Sequence, residues 1–237
     1  MCKPFSDRFS WMALVVFLMS SAGFGQSGAP NSAGASVVKL INQSKKVELS
    51  DPDSAYQLLL AAKLQLNQVT DKRLRYKVYS MLADTEKNIK RQVIASLNAV
   101  NVAEQLNDTM LIAEGHFNLA KSYKRLQIYD RVMIHLKKAE FLYGKKMQWK
   151  KRAQVLVLMG HTAVDLSNTQ KKRHFLDIAK RYYQLALQYY KTEKDNVNQL
   201  SITIALGNLY MRYFKFEQDE KYIRQSIAFS EQSFAMT

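Results

Sequence analysis

The chain has 237 residues, 47% of them hydrophobic, which is enough to bury a large core and excludes a disordered polar chain. Its 35 basic residues outnumber its 20 acidic ones, for a formal charge of +15, so the surface repels other cations and attracts anions. One cysteine, eight glycines and three prolines exclude a disulfide framework, a cysteine-based metal site and a loop-rich fold.

Residues 1–25 have the layout of a secretory signal peptide. Lys3 and Arg8 make a positive start, residues 11–19 (WMALVVFLM) are continuously apolar, and Ser20, Ser21, Ala22, Gly23 and Gly25 are small. Cleavage after Gly25 or after Ala22 fits the small-residue rule. The apolar run is shorter than the roughly 20 residues of a transmembrane helix. Export is therefore expected, to the periplasm or cell envelope of a bacterium. Cys2 precedes the apolar run, so removal of the segment leaves no cysteine. Residues 26–35 (QSGAPNSAGA) read as a flexible linker.

From residue 36 onward the apolar spacing is helical, and five antiparallel hairpins are expected, at 36–68, 71–106, 110–143, 150–190 and 197–235. In the first, Asp51-Pro52 opens the second helix, and Ala55, Leu59 and Ala62 share one face. The second breaks at Asn107-Asp108. The third is expected to end at Gly144. In the fourth a loop is expected after Leu166 (SNTQKKR), and in the fifth a loop after Phe214 (KFEQ). The alanines Ala62, Ala99, Ala139 and Ala186 recur at steps of 37, 40 and 47 residues. Such self-similarity predicts an all-α, right-handed α-solenoid of about five hairpins.

Within that period a packing signature recurs. Leu119, Ala120 and Tyr123 are followed by Ala139; Met159, Gly160 and Ala163 by Ala179, Tyr183 and Ala186; Leu206, Gly207 and Tyr210 by Ile223 and Ile227. This pattern resembles the tetratricopeptide repeat, across roughly residues 36–237. Small residues would sit where helices cross, and large ones would fill the space between hairpins. The repeats are longer than the family's ~34 residues and lack its terminal proline, as in exported bacterial arrays with long, degenerate repeats.

The resemblance implies a non-enzymatic scaffold that holds a protein or peptide in a concave groove lined by the first helices. Carried over by position, the groove residues are Asn118, Lys121 and Arg125 in the third hairpin, His161 in the fourth, and Asn208 and Arg212 in the fifth. Their polarity suits peptide backbone and acidic side chains. The alternative is the periplasmic sensory region of a histidine kinase-like or other signalling regulator, truncated before or separated from its output domain. The last helix ends near Thr237 without an added polar cap, as expected of a piece of a longer protein or of an end that docks on another molecule.

The chemistry of catalysis has little foothold. No GxSxG, GxxxxGK[ST] or GxGxxG motif occurs, and aspartates and serines cluster at helix starts, where capping requires them. His116, His135, His161 and His174 form neither an HxxxH nor an HExxH pair, so no metal and no cofactor is expected. His116 reads as a packing residue, His135 and His174 as surface residues. Tyr182-Tyr183 and Tyr189-Tyr190 read as alternating surface and core positions. Two basic runs stand out, Lys145, Lys146, Lys150, Lys151 and Arg152, and Lys171, Lys172, Arg173 and His174. They read as solvated surface or as attraction to an anionic protein or a membrane surface. Export and the absence of a nucleic-acid motif exclude nucleic acid as the expected partner.

Overall fold

The computed structural model describes residues 31–236; the expected signal peptide and the first part of the expected linker lie outside the described residues. Among the described residues ten α-helices follow one another: α1 (Asn31–Val47), α2 (Pro52–Leu64), α3 (Lys72–Thr85), α4 (Ile89–Gln105), α5 (Thr109–Arg125), α6 (Tyr129–Lys145), α7 (Trp149–Gln170), α8 (His174–Thr192), α9 (Asn196–Glu217) and α10 (Glu220–Phe234). A short 3₁₀ turn, Leu66–Gln68, follows α2. Each helix packs chiefly on its neighbours in sequence, which makes an α-solenoid of five hairpins, with no strand among the described residues.

The helix starts have a common chemistry. Asp51, Asp71, Asn88, Asp108, Asp195 and Asp219 each accept hydrogen bonds at the side chain from backbone N–H groups of the first turn. These are donors that a helix leaves unsatisfied, and each such cap contributes about 1 kcal/mol. The turns have a common geometry too. Asn107, Gln127, Met147, Lys171, Lys194 and Gln218 adopt left-handed backbone, with φ between 51° and 58°. After three of these helices the next residue's N–H closes the end: Ile128 N bonds Tyr123 O at 3.1 Å, Gln148 N bonds Tyr143 O at 2.9 Å, and Asp195 N bonds Tyr190 O at 2.9 Å.

Several expected boundaries move. Helix α1 begins at Asn31, inside the segment expected to be linker, because nothing in Asn31–Ser36 prevents a helix that buries Val37 and Ile41. Gly144 does not end α6; the helix runs to Lys145 and stops at left-handed Met147. Helix α7 continues through the expected loop to Gln170, and α9 through Glu217, each ending at a left-handed residue, Lys171 and Gln218. Polar residues do not stop a helix unless proline, glycine or a left-handed position does.

The core follows the expected packing signature. Ala120, Ala139, Ala163, Ala179 and Ala186 are fully buried, as are Leu119 and Leu136, while Leu206, Met159 and Tyr183 are nearly so. Each large apolar side chain so buried contributes roughly 1.5–3 kcal/mol. Where small residues bring backbones together, serine hydroxyls are satisfied across the crossing: Ser44 Oγ donates to Ala55 O at 3.1 Å, Ser226 Oγ donates to Gly207 O at 2.9 Å, and Ser96 and Ser122 pair at 2.9 Å.

Candidate functional site: a cleft between the first helices of the last two hairpins

The odd-numbered helices are the first helices of their hairpins, and polar contacts join them side by side. Lys124 of α5 forms an ion pair with Asp165 of α7. Asn168 of α7 accepts from Arg212 Nη1 of α9 at 2.8 Å. Between α7 and α9 lies a cleft of about 260 Å³. His161 and Val164 form one wall, Ser201, Ile204, Asn208 and Arg212 the other, and Tyr183 of α8 the floor. Its lining combines an apolar strip with hydrogen-bonding groups of both kinds, which is what a peptide needs for side-chain burial and backbone pairing.

The hydroxyl of Tyr183 lies 2.8 Å from Nδ1 of His161. His161 keeps its outer edge open to solvent, yet the surrounding walls hold its pKa below the ordinary value. Partial desolvation is the main cause and the Lys124 charge the second, opposed by Asp165. The imidazole is therefore neutral at pH 7. If Nδ1 accepts from Tyr183, the other ring nitrogen carries the proton and is a donor for a ligand.

Three of the six expected groove residues, His161, Asn208 and Arg212, thus share one cleft. The other three, all on α5, stand apart from it. Lys121 is exposed, with Nζ 5.6 Å from the Phe117 ring centroid, and its charge acts on Asp84 of α3. Asn118 is half-buried, and its carbonyl accepts from Ser122 Oγ at 3.1 Å. Arg125 is turned toward the preceding hairpin: Nη1 donates to Gln92 Oε1 at 2.6 Å, and Gln92 Nε2 donates to Ala83 O at 2.8 Å. That guanidinium ties hairpins together and is not a free cation. Sequence reasoning missed Ser201 and Ile204, which share the cleft face of α9 with Asn208 and Arg212, and Asp165 and Asn168, which pair with neighbouring first helices. Spacing from the packing signature marks the first two; the second two depend on partners more than forty residues away in sequence.

The two histidines of the third hairpin lie against each other. His116 is buried as expected, but His135 is not a surface residue: it is half-buried, stacks on Tyr123, and its Nδ1 lies 3.2 Å from Nδ1 of His116. Burial, first of all, pushes both down to about 4; the charge of Lys138 adds to this at each, and at His135 so do His116 and Arg131. His174 is exposed against Phe175. Tyr183 and Tyr190 are buried while Tyr182 and Tyr189 are half-exposed, the expected alternation. Among the described residues no group of three or more His, Cys, Asp or Glu could hold a metal ion, and no helix is long and apolar enough to cross a membrane.

No protein-family model matches the chain. It is 25% identical over 119 residues to the chicken (Gallus gallus) 43 kDa receptor-associated protein of the synapse, a match that spans 50% of this chain and 27% of that protein. Two solved structures of helical-repeat proteins share the fold. Aspartyl phosphate phosphatase F from Bacillus subtilis superimposes with a TM-score of 0.66 at 14% identity, over 96% of this chain and 57% of that one. BtubC (BKLC) from P. vanneervenii gives 0.60 at 16% identity, over 87% and 92%. Both have tetratricopeptide-type folds, so the chain resembles that repeat in three dimensions as well as in its packing residues.

Proposed function

We propose that this chain is a non-catalytic scaffold whose first helices hold an extended segment of a protein partner, anchored in the cleft between α7 and α9. The convergence of His161, Asn208 and Arg212 with exposed Ile204 over the Tyr183 floor carries this reading. Ile204 and Val164 offer burial for one apolar side chain, Asn208 and His161 offer hydrogen bonds to a backbone, and Arg212 favours an acidic residue beside it. The helical-repeat neighbours and the receptor-associated relative support a protein as the partner. Selection of binding peptides from a displayed random library tests it. Peptides that bind the native chain and lose at least tenfold in affinity to Asn208→Ala/Arg212→Ala, at unchanged thermal stability, are expected. Equal binding by the variant would dismiss the cleft as the anchor.

We further propose that the protein works outside the cytoplasm, in the periplasm or cell envelope. The positive, apolar and small-residue order of residues 1–25 supports this. N-terminal sequencing of the protein from fractionated cells is expected to begin after Ala22 or Gly25. Recovery of intact Met1 in the cytoplasm would overturn export.

A further inference from the structure

The turn between α6 and α7 departs from the other turns of the stack. Five of the six left-handed positions hold Asn, Gln or Lys, and the sixth holds Met147. A methionine has no polar group to support left-handed backbone, and here it gains no burial either, being 73% exposed. The turn is nonetheless fixed, by Met147 N to Gly144 O at 3.0 Å and Gln148 N to Tyr143 O at 2.9 Å. Trp149 opens α7 at 45% exposure, and Phe141, on the last turns of α6, is 66% exposed. The apolar tip of the turn is held outward by backbone geometry.

Charge surrounds that tip. Residues 141–152 read FLYGKKMQWKKR, with five basic and no acidic side chains. Two of the five are engaged within the fold: Lys151 lies 3.9 Å from Glu114, and Arg152 bonds Glu140 and stands 5.4 Å from the centre of the Trp149 ring. Lys145, Lys146 and Lys150 make no ion pair among the described residues. The neighbouring turns carry mixed charge. Lys146 lines one hollow beside the α4–α5 turn together with the Arg73–Asp108 ion pair, and the field of Lys150 reaches Asp195 in the α8–α9 turn, where Lys191, Lys194 and Val197 are exposed beside Glu193.

We propose that this corner docks on an anionic phospholipid surface. Lys145, Lys146 and Lys150 contact headgroup phosphates, while Met147 and Trp149 enter the interfacial layer. Tryptophan favours that layer because its ring is apolar with one polar edge, and lysine stems lie along it with their charges outward. Basic residues near such a surface and apolar side chains within it reinforce each other. A projecting rigid tip fits a broad fluid surface, whereas an extended peptide fits a cleft, and the cleft between α7 and α9 uses none of these residues.

The sequence supplies a reporter. It has two tryptophans, Trp11 and Trp149, so in the full chain carrying Trp11→Phe the only indole is at the proposed contact. Emission is recorded with phosphatidylcholine vesicles, and with vesicles in which about 30% of the lipid is phosphatidylglycerol. A blue shift and quenching by brominated acyl chains are expected on the anionic vesicles alone, reversed by ~0.5 M salt. Each lysine contributes roughly fivefold to partitioning, so Lys145→Gln/Lys146→Gln/Lys150→Gln weakens it roughly a hundredfold. Met147→Ser also weakens it and leaves the fold intact. Co-sedimentation with Trp149 unquenched would show attachment elsewhere, for instance through residues 11–19, and would overturn the proposal. So would equal quenching on neutral vesicles. A blue shift produced by soluble polyglutamate alone would transfer the surface to an acidic protein.

Discussion

Gly160 of α7 lies against Tyr183 of α8 so closely that a Cβ at residue 160 would stand 2.6 Å from Cδ1 and 2.9 Å from Cζ of the ring. The same tyrosine passes under the cleft and bonds His161 at 2.8 Å. One ring therefore joins the packing of the fourth hairpin to the floor of the candidate site. A side chain at residue 160 must displace that ring, which is itself buried and held by its bond to His161.

Gly160→Ala is expected to lose about 1–3 kcal/mol by overpacking, despite the better helix propensity of alanine. Gly207→Ala is the control. A Cβ there meets Phe229 Cβ at 3.4 Å, an ordinary contact, so the variant is expected to be neutral or up to ~1 kcal/mol more stable. Urea denaturation of both variants measures the contrast. Equal stability of the two would contradict the crowding at Tyr183.

The His116–His135 pair makes stability depend on pH. Folding lowers both pKa values to about 4. The unfolded chain, with ordinary histidines, binds protons that the folded chain refuses. The stabilisation is therefore complete above about pH 6.5 and is lost as pH falls toward 4. For His116, which is nearly enclosed, the shift corresponds to roughly 3 kcal/mol; the more open His135 contributes less. His135→Gln is expected to flatten the slope between pH 6.5 and 4 in thermal melts. An unchanged slope would show that the pair does not titrate as its burial requires. The capping aspartates Asp51, Asp195 and Asp219, lowered mainly by hydrogen bonds from Ser54, Asn198 and Lys221, act below that window.

The left-handed residues hold removable strain. Gln127 and Lys194 have φ of 58° and 53° and are exposed. Glycine there relieves about 1–2 kcal/mol of backbone strain and costs about 0.5–1 in unfolded-chain entropy. Gln127→Gly and Lys194→Gly are expected to raise stability by about 0.5–1 kcal/mol each, and additively, since they close different turns. Destabilisation by either would mean that the side chain, not the backbone, supports the turn.

Much of the fold is legible in the residues because the repeat signature is itself a packing rule. Leu119-Ala120, Met159-Gly160 and Leu206-Gly207 are spaced as a helix crossing demands, and all six are buried. The helix ends were not legible at Gln170 and Glu217, since the stop is a left-handed Lys171 or Gln218 and neither residue type announces it. The cleft was legible in part. His161, Asn208 and Arg212 are picked out by their offsets to the signature, and they lie in one cleft. Arg125 has an equivalent offset but is held by Gln92, and His135 is drawn inward by Tyr123 and His116. Such pairings join residues on different helices, and local periodicity carries no record of them.

Hydrogen exchange of the chain with and without a library-selected peptide tests the binding account most directly. Slowed exchange confined to the first helices, strongest at residues 157–168 of α7 and 201–212 of α9, and abolished in Asn208→Ala/Arg212→Ala, is the predicted result. Protection centred on α8 and α10, with α7 and α9 unchanged, would contradict it.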